Sequence, residues 1–300
     1  MGGGMTMAGN AKSVEKKRAD RARELIRDLV MPSRPDLLLE AMRAQSGFAP
    51  DPLAVTALIL EDVALAAAVL RAANQELAGW KRRVASIEGA VALLGFDRVR
   101  AIVSEQFLSA SLVAREGPMQ SLRLRAVASG RLAARLARRL PEVAPNCLNG
   151  YLPAVAPDEA YTAGLLHDCG LIAMLRAYPD YALFCRQTHG QGAVDLVAAE
   201  NARYGTNHTL TGYWLLRSWK VPESLCDLVG VHHRVDDFNR PGRKASERRL
   251  LVLRAILHLA ASVCGGDTPS AWLVAQEPIA TFFGLETSQL ERLRADEGGD

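Results

Sequence analysis

The amino-acid sequence predicts an all-α protein, built as a multi-helix bundle. In nearly every segment longer than ten residues, Leu, Ala, Val and Ile recur at helical spacing, and alternating polar and apolar runs are almost absent. Residues that typically begin and end helices are frequent. Because 49% of the 300 residues are hydrophobic and 23% are charged, the chain can bury a sizeable core.

The first element is a charged segment at the N-terminus. Residues 1–10 are Gly-rich, and we expect region 1–24 to form a tail that leads into a first helix. The basic run 12–27 is interleaved with acidic residues, which is typical of a solvated helix with local ion pairs. These acidic residues are Glu15, Asp20, Glu24 and Asp28.

An N-terminal helical lobe is predicted over 25–140. Asp51 before Pro52 predicts a helix start, and Gly95 follows an apolar run as a C-terminal glycine cap does. The basic run 123–139 carries leucines on its other face, so it predicts an amphipathic helix with a basic exterior. The arginines at four-residue spacing in this run are Arg131, Arg135 and Arg139.

The second half of the chain divides into three parts. A proline-rich loop is predicted over 141–157, a second helical lobe over 158–240, and C-terminal helices packing on that lobe over 241–300. Residues that mark helix ends here are Gly205 as a C-terminal cap, Pro222 before Glu223 as a start, and Ser288 with Glu291 as a capping box.

Composition excludes several classes of protein. A net charge of +3 is too small to imply a nucleic-acid partner, and the five cysteines form no Cys-x-x-Cys pair. No leading apolar stretch resembles a signal peptide, so a cytoplasmic location with reduced thiols is expected. The longest apolar stretch, 53–70, is interrupted by Glu61 and Asp62, so no membrane insertion is expected.

The residues most indicative of chemistry lie in the second lobe. Residues 164–170 read Gly-Leu-Leu-His-Asp-Cys-Gly, and they place His167 beside Asp168. An imidazole nitrogen beside a carboxylate oxygen suits zinc, iron or manganese. All six histidines follow residue 166. The downstream positions of the motif are Glu200, Gly205, His208, Trp219 and the doublet His232-His233.

The second lobe resembles the HD superfamily of metal-dependent phosphohydrolases. The first lobe narrows the resemblance to the HDOD family, the HD-related output domains of bacteria, over about residues 25–240. The segments that resemble this family are Pro32, Asp62, residues 70–74 (Leu-Arg-Ala-Ala-Asn) and residues 86–95. The resemblance implies an HD-superfamily-like bundle with an N-terminal helical lobe and a regulatory role.

The resemblance also implies a metal site that is incomplete. His167 and Asp168 match the histidine-aspartate pair, and His208, His232 and His233 match additional histidines of HD-GYP phosphodiesterases. The upstream histidine is missing from helix 121–140, Ala261 replaces the closing aspartate, and the GYP signature is absent. Two missing ligands predict the loss of two-metal hydrolysis. One divalent ion, Fe, Mn or Zn, can still be held, or the cluster serves only for hydrogen bonding.

Other motif positions have structural interpretations. Glu200 is expected to pair with an arginine such as Arg203 or Arg217 rather than act as a base. Trp214 and Trp219 are expected as core anchors. A further set is predicted to serve the backbone: Asn74 as a helix terminator or buried hydrogen-bonding post, and Gly164 and Gly170 for close helix packing.

The sequence therefore predicts a non-catalytic bacterial signal-transduction protein that binds a protein partner or a nucleotide messenger. We expect a stand-alone module that acts in trans. The alternative is a metal-dependent phosphodiesterase or phosphatase with an altered ligand set. A second alternative is a nucleic-acid-binding regulator that uses the 131–139 arginines, although no aromatic residues interleave with them for base stacking.

Overall fold

Helices form almost all of the chain in a computed structural model, which describes residues 4–27, 52–77, 83–110, 117–147, 150–190, 195–219, 221–240, 244–265 and 269–298. In chain order the helices are α1 (Gly4–Ile26), α2 (Pro52–Leu60), α3 (Val63–Glu76), α4 (Ile87–Ala110), α5 (Gly117–Val143), α6 (Pro157–Leu166), α7 (Cys169–Ala177), α8 (Tyr181–Gly190), α9 (Leu196–Tyr204), α10 (His208–Ser218), α11 (Glu223–Val231), α12 (Ala245–Cys264), α13 (Pro269–Phe283) and α14 (Thr287–Gly298). A 3-10 turn spans Asp236–Asn239, and β1 (Asn146–Cys147) pairs antiparallel with β2 (Gly150–Tyr151). The all-α prediction is confirmed.

The N-terminal lobe contains α2, α3 and α4. Asp62 caps α3, and its carboxylate accepts hydrogen bonds from the backbone N–H groups of Ala64 and Leu65 at 2.9 Å. The predicted helix start at Asp51 lies outside the described residues, but α2 does begin at Pro52. At Gly95 the backbone leaves helical geometry with φ +72°, so α4 bends there as the glycine predicts.

Two glycine contacts hold the second lobe together. A Cβ on Gly164 of α6 would lie 2.7 Å from the carbonyl oxygen of Ser129 in α5. A Cβ on Gly170 of α7 would lie 1.9 Å from the carbonyl oxygen of His208 in α10. Backbones this close leave no room for a side chain, so both glycines serve close helix packing as predicted.

Helix α1 packs on the second lobe, against α7 and α10. Residues 4–10, predicted as part of a tail, are helical, and Ala22 is fully buried. The Arg23 guanidinium lies 3.7 Å from the ring centroid of Trp214. The predicted local ion pairs are present between Arg21 and Glu24 and between Arg23 and Asp20.

Two predicted boundaries are wrong. The proline-rich loop does not begin at 141, because α5 continues to Val143 with Pro141 inside it. The fixed φ of proline suits a helix, and only three residues of α5 remain from Pro141 to its end, so the helix can accept the proline in its last turn. The capping box also lies elsewhere: α14 begins at Thr287, and the Glu286 N–H donates to Gln289 Oε1 at 2.8 Å, not to Glu291.

The C-terminal helices cover the basic face of α5. Arg135 Nε lies 2.9 Å from Glu297 Oε2, and Arg139 Nη1 lies 2.7 Å from Glu297 Oε1. Arg131 pairs with Glu61. The three arginines that suggested a nucleic-acid contact are therefore each paired with a carboxylate. No helix among the described residues is long and apolar enough to cross a membrane.

Candidate metal centre

The histidines and the aspartate of the motif are brought together by helix ends. His167 follows α6 and Asp168 precedes α7, so the pair forms the junction between these helices. His208 is the first residue of α10, where Gly205 turns the chain with φ +67°. His232 and His233 follow α11 directly. Three separate stretches of sequence therefore converge on one point.

Four of these side chains offer ligand atoms that all lie within 4.8 Å of one another. They are Asp168, His208, His232 and His233. His208 Nε2 lies 3.0 Å from His233 Nε2, and His232 Nε2 lies 3.4 Å from Asp168 Oδ1. His167 Nε2 faces the other oxygen of the same carboxylate, 3.4 Å from Asp168 Oδ2. The cluster thus includes both histidines of the doublet, with His167 at its edge.

The outward ring nitrogens determine the tautomers. His167 Nδ1 lies 2.7 Å from the Gly164 carbonyl oxygen, and His232 Nδ1 lies 2.7 Å from that of Val229. Because a carbonyl oxygen only accepts, each Nδ1 carries the proton and donates it. Their Nε2 atoms face the Asp168 carboxylate. Metal-bound histidines are held in this way, with the second nitrogen donating to an outer partner.

The inward face of the cluster brings imidazole nitrogens close to a carboxylate. His232 Nε2 is buried and lies 3.4 Å from Asp168 Oδ1. Burial alone would raise the pKa of Asp168, but the imidazoles of His167, His232 and His208 hold it well below its ordinary value. Burial lowers the pKa of His232, and strongly lowers that of His233. A carboxylate among imidazoles is a set of ligand atoms that fits a divalent cation.

A cavity of about 10 Å³ adjoins the cluster, enough for about one water molecule or one ion. The ligand residues that line it are His167, Asp168, His232 and His233. Its facing wall comes from α12, through Leu257, His258 and Ala261. Ala261 thus faces the site where the HD resemblance expects an aspartate, and a methyl group cannot bind a metal.

Comparison with known proteins identifies the family. The family model of the HDOD domain matches residues 31–235. This chain belongs to the HDOD family. The HDOD assignment agrees with the first-lobe segments and with the histidine-aspartate junction.

Similar proteins support the HDOD fold. The chain is 27% identical to the MmoQ response regulator of Methylococcus capsulatus str. Bath, covering 88% of this chain and 98% of that chain with a TM-score of 0.61. A virulence factor of Campylobacter jejuni shares the fold at 15% identity and a TM-score of 0.62, covering 93% of this chain and 96% of that chain. An uncharacterized protein of Treponema pallidum is 23% identical to this chain. The match covers 88% of this chain but only 48% of that protein.

The remaining HDOD motif positions divide between the site and the scaffold. Glu200 does not pair with an arginine as predicted, because Arg203 pairs with Asp180 and Arg217 with Glu223. Its carboxylate instead contacts His208, the nearest ligand histidine along the chain. The scaffold positions lie elsewhere: Trp219 in the core, Gly205 at the end of α9, and Asn74 in the N-terminal lobe.

Sequence reasoning missed two residues of the site. His258 lines the cavity from α12, and its position three residues before Ala261, on the same helix face, could have placed it there. Tyr181 contacts Glu200 from α8, and no spacing in the sequence connects these two residues.

Proposed function

We propose that this HDOD protein is a non-catalytic signal-transduction protein that holds one divalent metal ion and acts by binding a protein partner. One observation carries the proposal: the ligand set is one-sided. Four ligand atoms converge at Asp168, whereas the facing helix α12 presents Ala261. Helix α5, where the HD resemblance expects a further histidine, contains none.

Asp168, His208, His232 and His233 would hold the ion, with His167 beside them. This mixture of nitrogen and oxygen ligands suits Zn, Fe or Mn. A bound ion would cross-link α10 and α11 to the junction of α6 and α7. Two-metal hydrolysis needs a second ion about 3.5 to 4 Å away. The missing ligands on α5 and α12 argue against that second ion and against turnover.

The similarity to a response regulator supports the signalling part of the proposal, since MmoQ is 27% identical over 88% of this chain. The cavity of about 10 Å³ beside the cluster is far smaller than a nucleotide. A messenger nucleotide at this cluster is therefore disfavoured, and a protein partner bound through the helical surface is preferred.

The metal is tested on protein purified without chelator. We expect about one equivalent of Zn, Fe or Mn per chain by elemental analysis, and loss of most of it in Asp168→Asn. Asp180→Asn is the matched control, because Asp180 pairs with Arg203 on the surface. At a free ion concentration 100-fold above Kd, binding should stabilise the fold by about 2.7 kcal/mol. A metal content equal in both variants would refute the site.

The non-catalytic part is tested with bis(p-nitrophenyl) phosphate in Mn²⁺ and in Fe²⁺. We expect hydrolysis by the wild type to equal that by Asp168→Asn. Turnover that disappears in Asp168→Asn and persists in Asp180→Asn would establish the phosphodiesterase alternative.

The partner is tested by affinity purification from nuclease-treated host lysate. A stoichiometric protein that survives this treatment supports the proposal. Retention of nucleic acid alone, released by nuclease and by salt, would favour the nucleic-acid alternative instead.

A further inference from the structure

Glu200 is a fully buried carboxylate that is contacted by His208, at the start of α10, and by Tyr181, at the start of α8. Its Oε2 accepts hydrogen bonds from the backbone N–H of His208 at 3.0 Å and from His208 Nδ1 at 2.8 Å. Its Oε1 accepts from the hydroxyl of Tyr181. Both oxygens are therefore used, and the carboxylate is held from two sides.

Tyr181 is as deeply buried as Glu200, with 1% of its surface exposed. Its ring packs against Phe184 and Tyr204, with centroids 6.0 and 5.6 Å away. Burial, together with the charge of Glu200, raises the pKa of Tyr181 well above its ordinary value, so the hydroxyl keeps its proton and donates. The aromatic packing thus fixes a donor that orients the carboxylate.

His208 differs from His167 and His232 in the group that holds its Nδ1 atom. The Nδ1 atoms of His167 and His232 donate to backbone carbonyls, whereas that of His208 donates to the Glu200 side chain. An imidazole without an outer acceptor can carry its proton on either nitrogen. A proton on His208 Nε2 would point into the cluster, where His233 Nε2 lies at 3.0 Å, and would block that ligand position.

We propose that Glu200 and Tyr181 are a positioning pair that holds His208 in the Nδ1–H tautomer, with the Nε2 lone pair turned to Asp168 and His233. The consequence for metal affinity rests on the proposed metal centre. The tautomer itself does not, because it is defined in the metal-free protein.

The test compares variants that separate the acceptor from the charge. Glu200→Leu removes the acceptor, whereas Glu200→Gln keeps one acceptor oxygen and removes the charge. Glu297→Leu is the matched control, because Glu297 is also a buried, ion-paired glutamate but contacts Arg135 and Arg139. Long-range ¹H–¹⁵N spectra of the imidazoles, assigned with His208→Ala, report the tautomer. Competition with a chromophoric chelator reports the Kd for Zn²⁺.

We expect Glu200→Leu to shift His208 toward the Nε2–H tautomer and to raise the Kd for Zn²⁺ by about 10- to 100-fold, as loss of an outer partner typically does. Glu200→Gln should retain the Nδ1–H tautomer with a smaller rise in Kd, and Glu297→Leu should change neither quantity. An unchanged His208 tautomer in Glu200→Leu would overturn the inference, whatever happens to the Kd. If the wild-type protein binds no Zn²⁺, the proposed metal centre is refuted. The tautomer of His208 in Glu200→Leu then tests the inference by itself.

If Glu200→Leu does not fold, Tyr181→Phe provides a second test. Its control is Tyr161→Phe, since Tyr161 donates to the Leu60 carbonyl oxygen at the boundary with the first lobe. We expect a higher Kd for Zn²⁺ in Tyr181→Phe than in Tyr161→Phe. Equal values in the two variants would remove Tyr181 from the proposal.

Discussion

Gly170→Ala should destabilise the fold and disturb the metal centre together. A Cβ at this position would lie 1.9 Å from the His208 carbonyl oxygen and 2.6 Å from the Gly212 nitrogen, whereas ordinary contacts begin at 3.4 Å. Helices α7 and α10 would therefore have to separate by about 1.5 Å. Because the contacting atoms belong to the backbone, no side chain can rotate away. Overpacking costs about 1–3 kcal/mol, a range that includes shifts of the backbone.

Alanine also gains up to about 1 kcal/mol of helix propensity over glycine. We therefore expect a net loss of about 2 kcal/mol in the free energy of unfolding, measured by urea titration with far-UV circular dichroism. Zn²⁺ binding should weaken as well, because His208 moves with α10. Gly117→Ala is the control, since its Cβ would meet no atom within 4 Å. A Gly170→Ala protein within about 0.5 kcal/mol of the wild type would contradict the close approach of α7 and α10.

Three further changes test the scaffold. Asn74→Ala removes hydrogen bonds to the Leu70 carbonyl and to both backbone groups of Val84. It should lower the free energy of unfolding, measured by urea titration, by about 2–4 kcal/mol. A loss under about 0.5 kcal/mol would contradict the role of Asn74 as a buried hydrogen-bonding post. Glu297→Gln should lower the free energy of unfolding by only about 1 kcal/mol, because its arginine partners are partly exposed. An unchanged midpoint of the urea titration would show that α14 needs no ion pair. Burial alone would raise the pKa of Asp237, but Arg254 lowers it below the ordinary value. This pair therefore stabilises the fold above about pH 4 and less as pH falls, so Asp237→Asn should flatten the acid limb of the pH-stability curve; an identical limb would refute the assignment.

The histidine cluster was predictable because its signals are local. His167 and Asp168 are adjacent, His232 and His233 are adjacent, and His208 follows the glycine turn at Gly205. Each pair or turn sets the direction of its own side chains at a helix end. The resemblance to the HDOD family then indicated that these ends meet, which spacing alone could not show.

The partner of Glu200 was not predictable in the same way. From the sequence, Arg203 lies three residues away at helical spacing, which favours an ion pair. In the fold, Arg203 pairs instead with Asp180, the residue before α8, and this ion pair lies on the surface. Glu200 faces the interior instead, where Tyr181 and His208 supply the donors. Tertiary packing decided which charges met.

The cluster is present although the rest of a two-metal hydrolase site is missing. Hydrogen bonding alone would be satisfied if each imidazole had a donor and an acceptor nearby. His232 Nε2 instead lies in the interior, 3.4 Å from Asp168 Oδ1, which is longer than an ordinary N–H···O hydrogen bond. Leaving buried acceptors unpaired costs about 1–3 kcal/mol each. A cation would satisfy several of these atoms at once, which is the physical basis of the proposed metal centre.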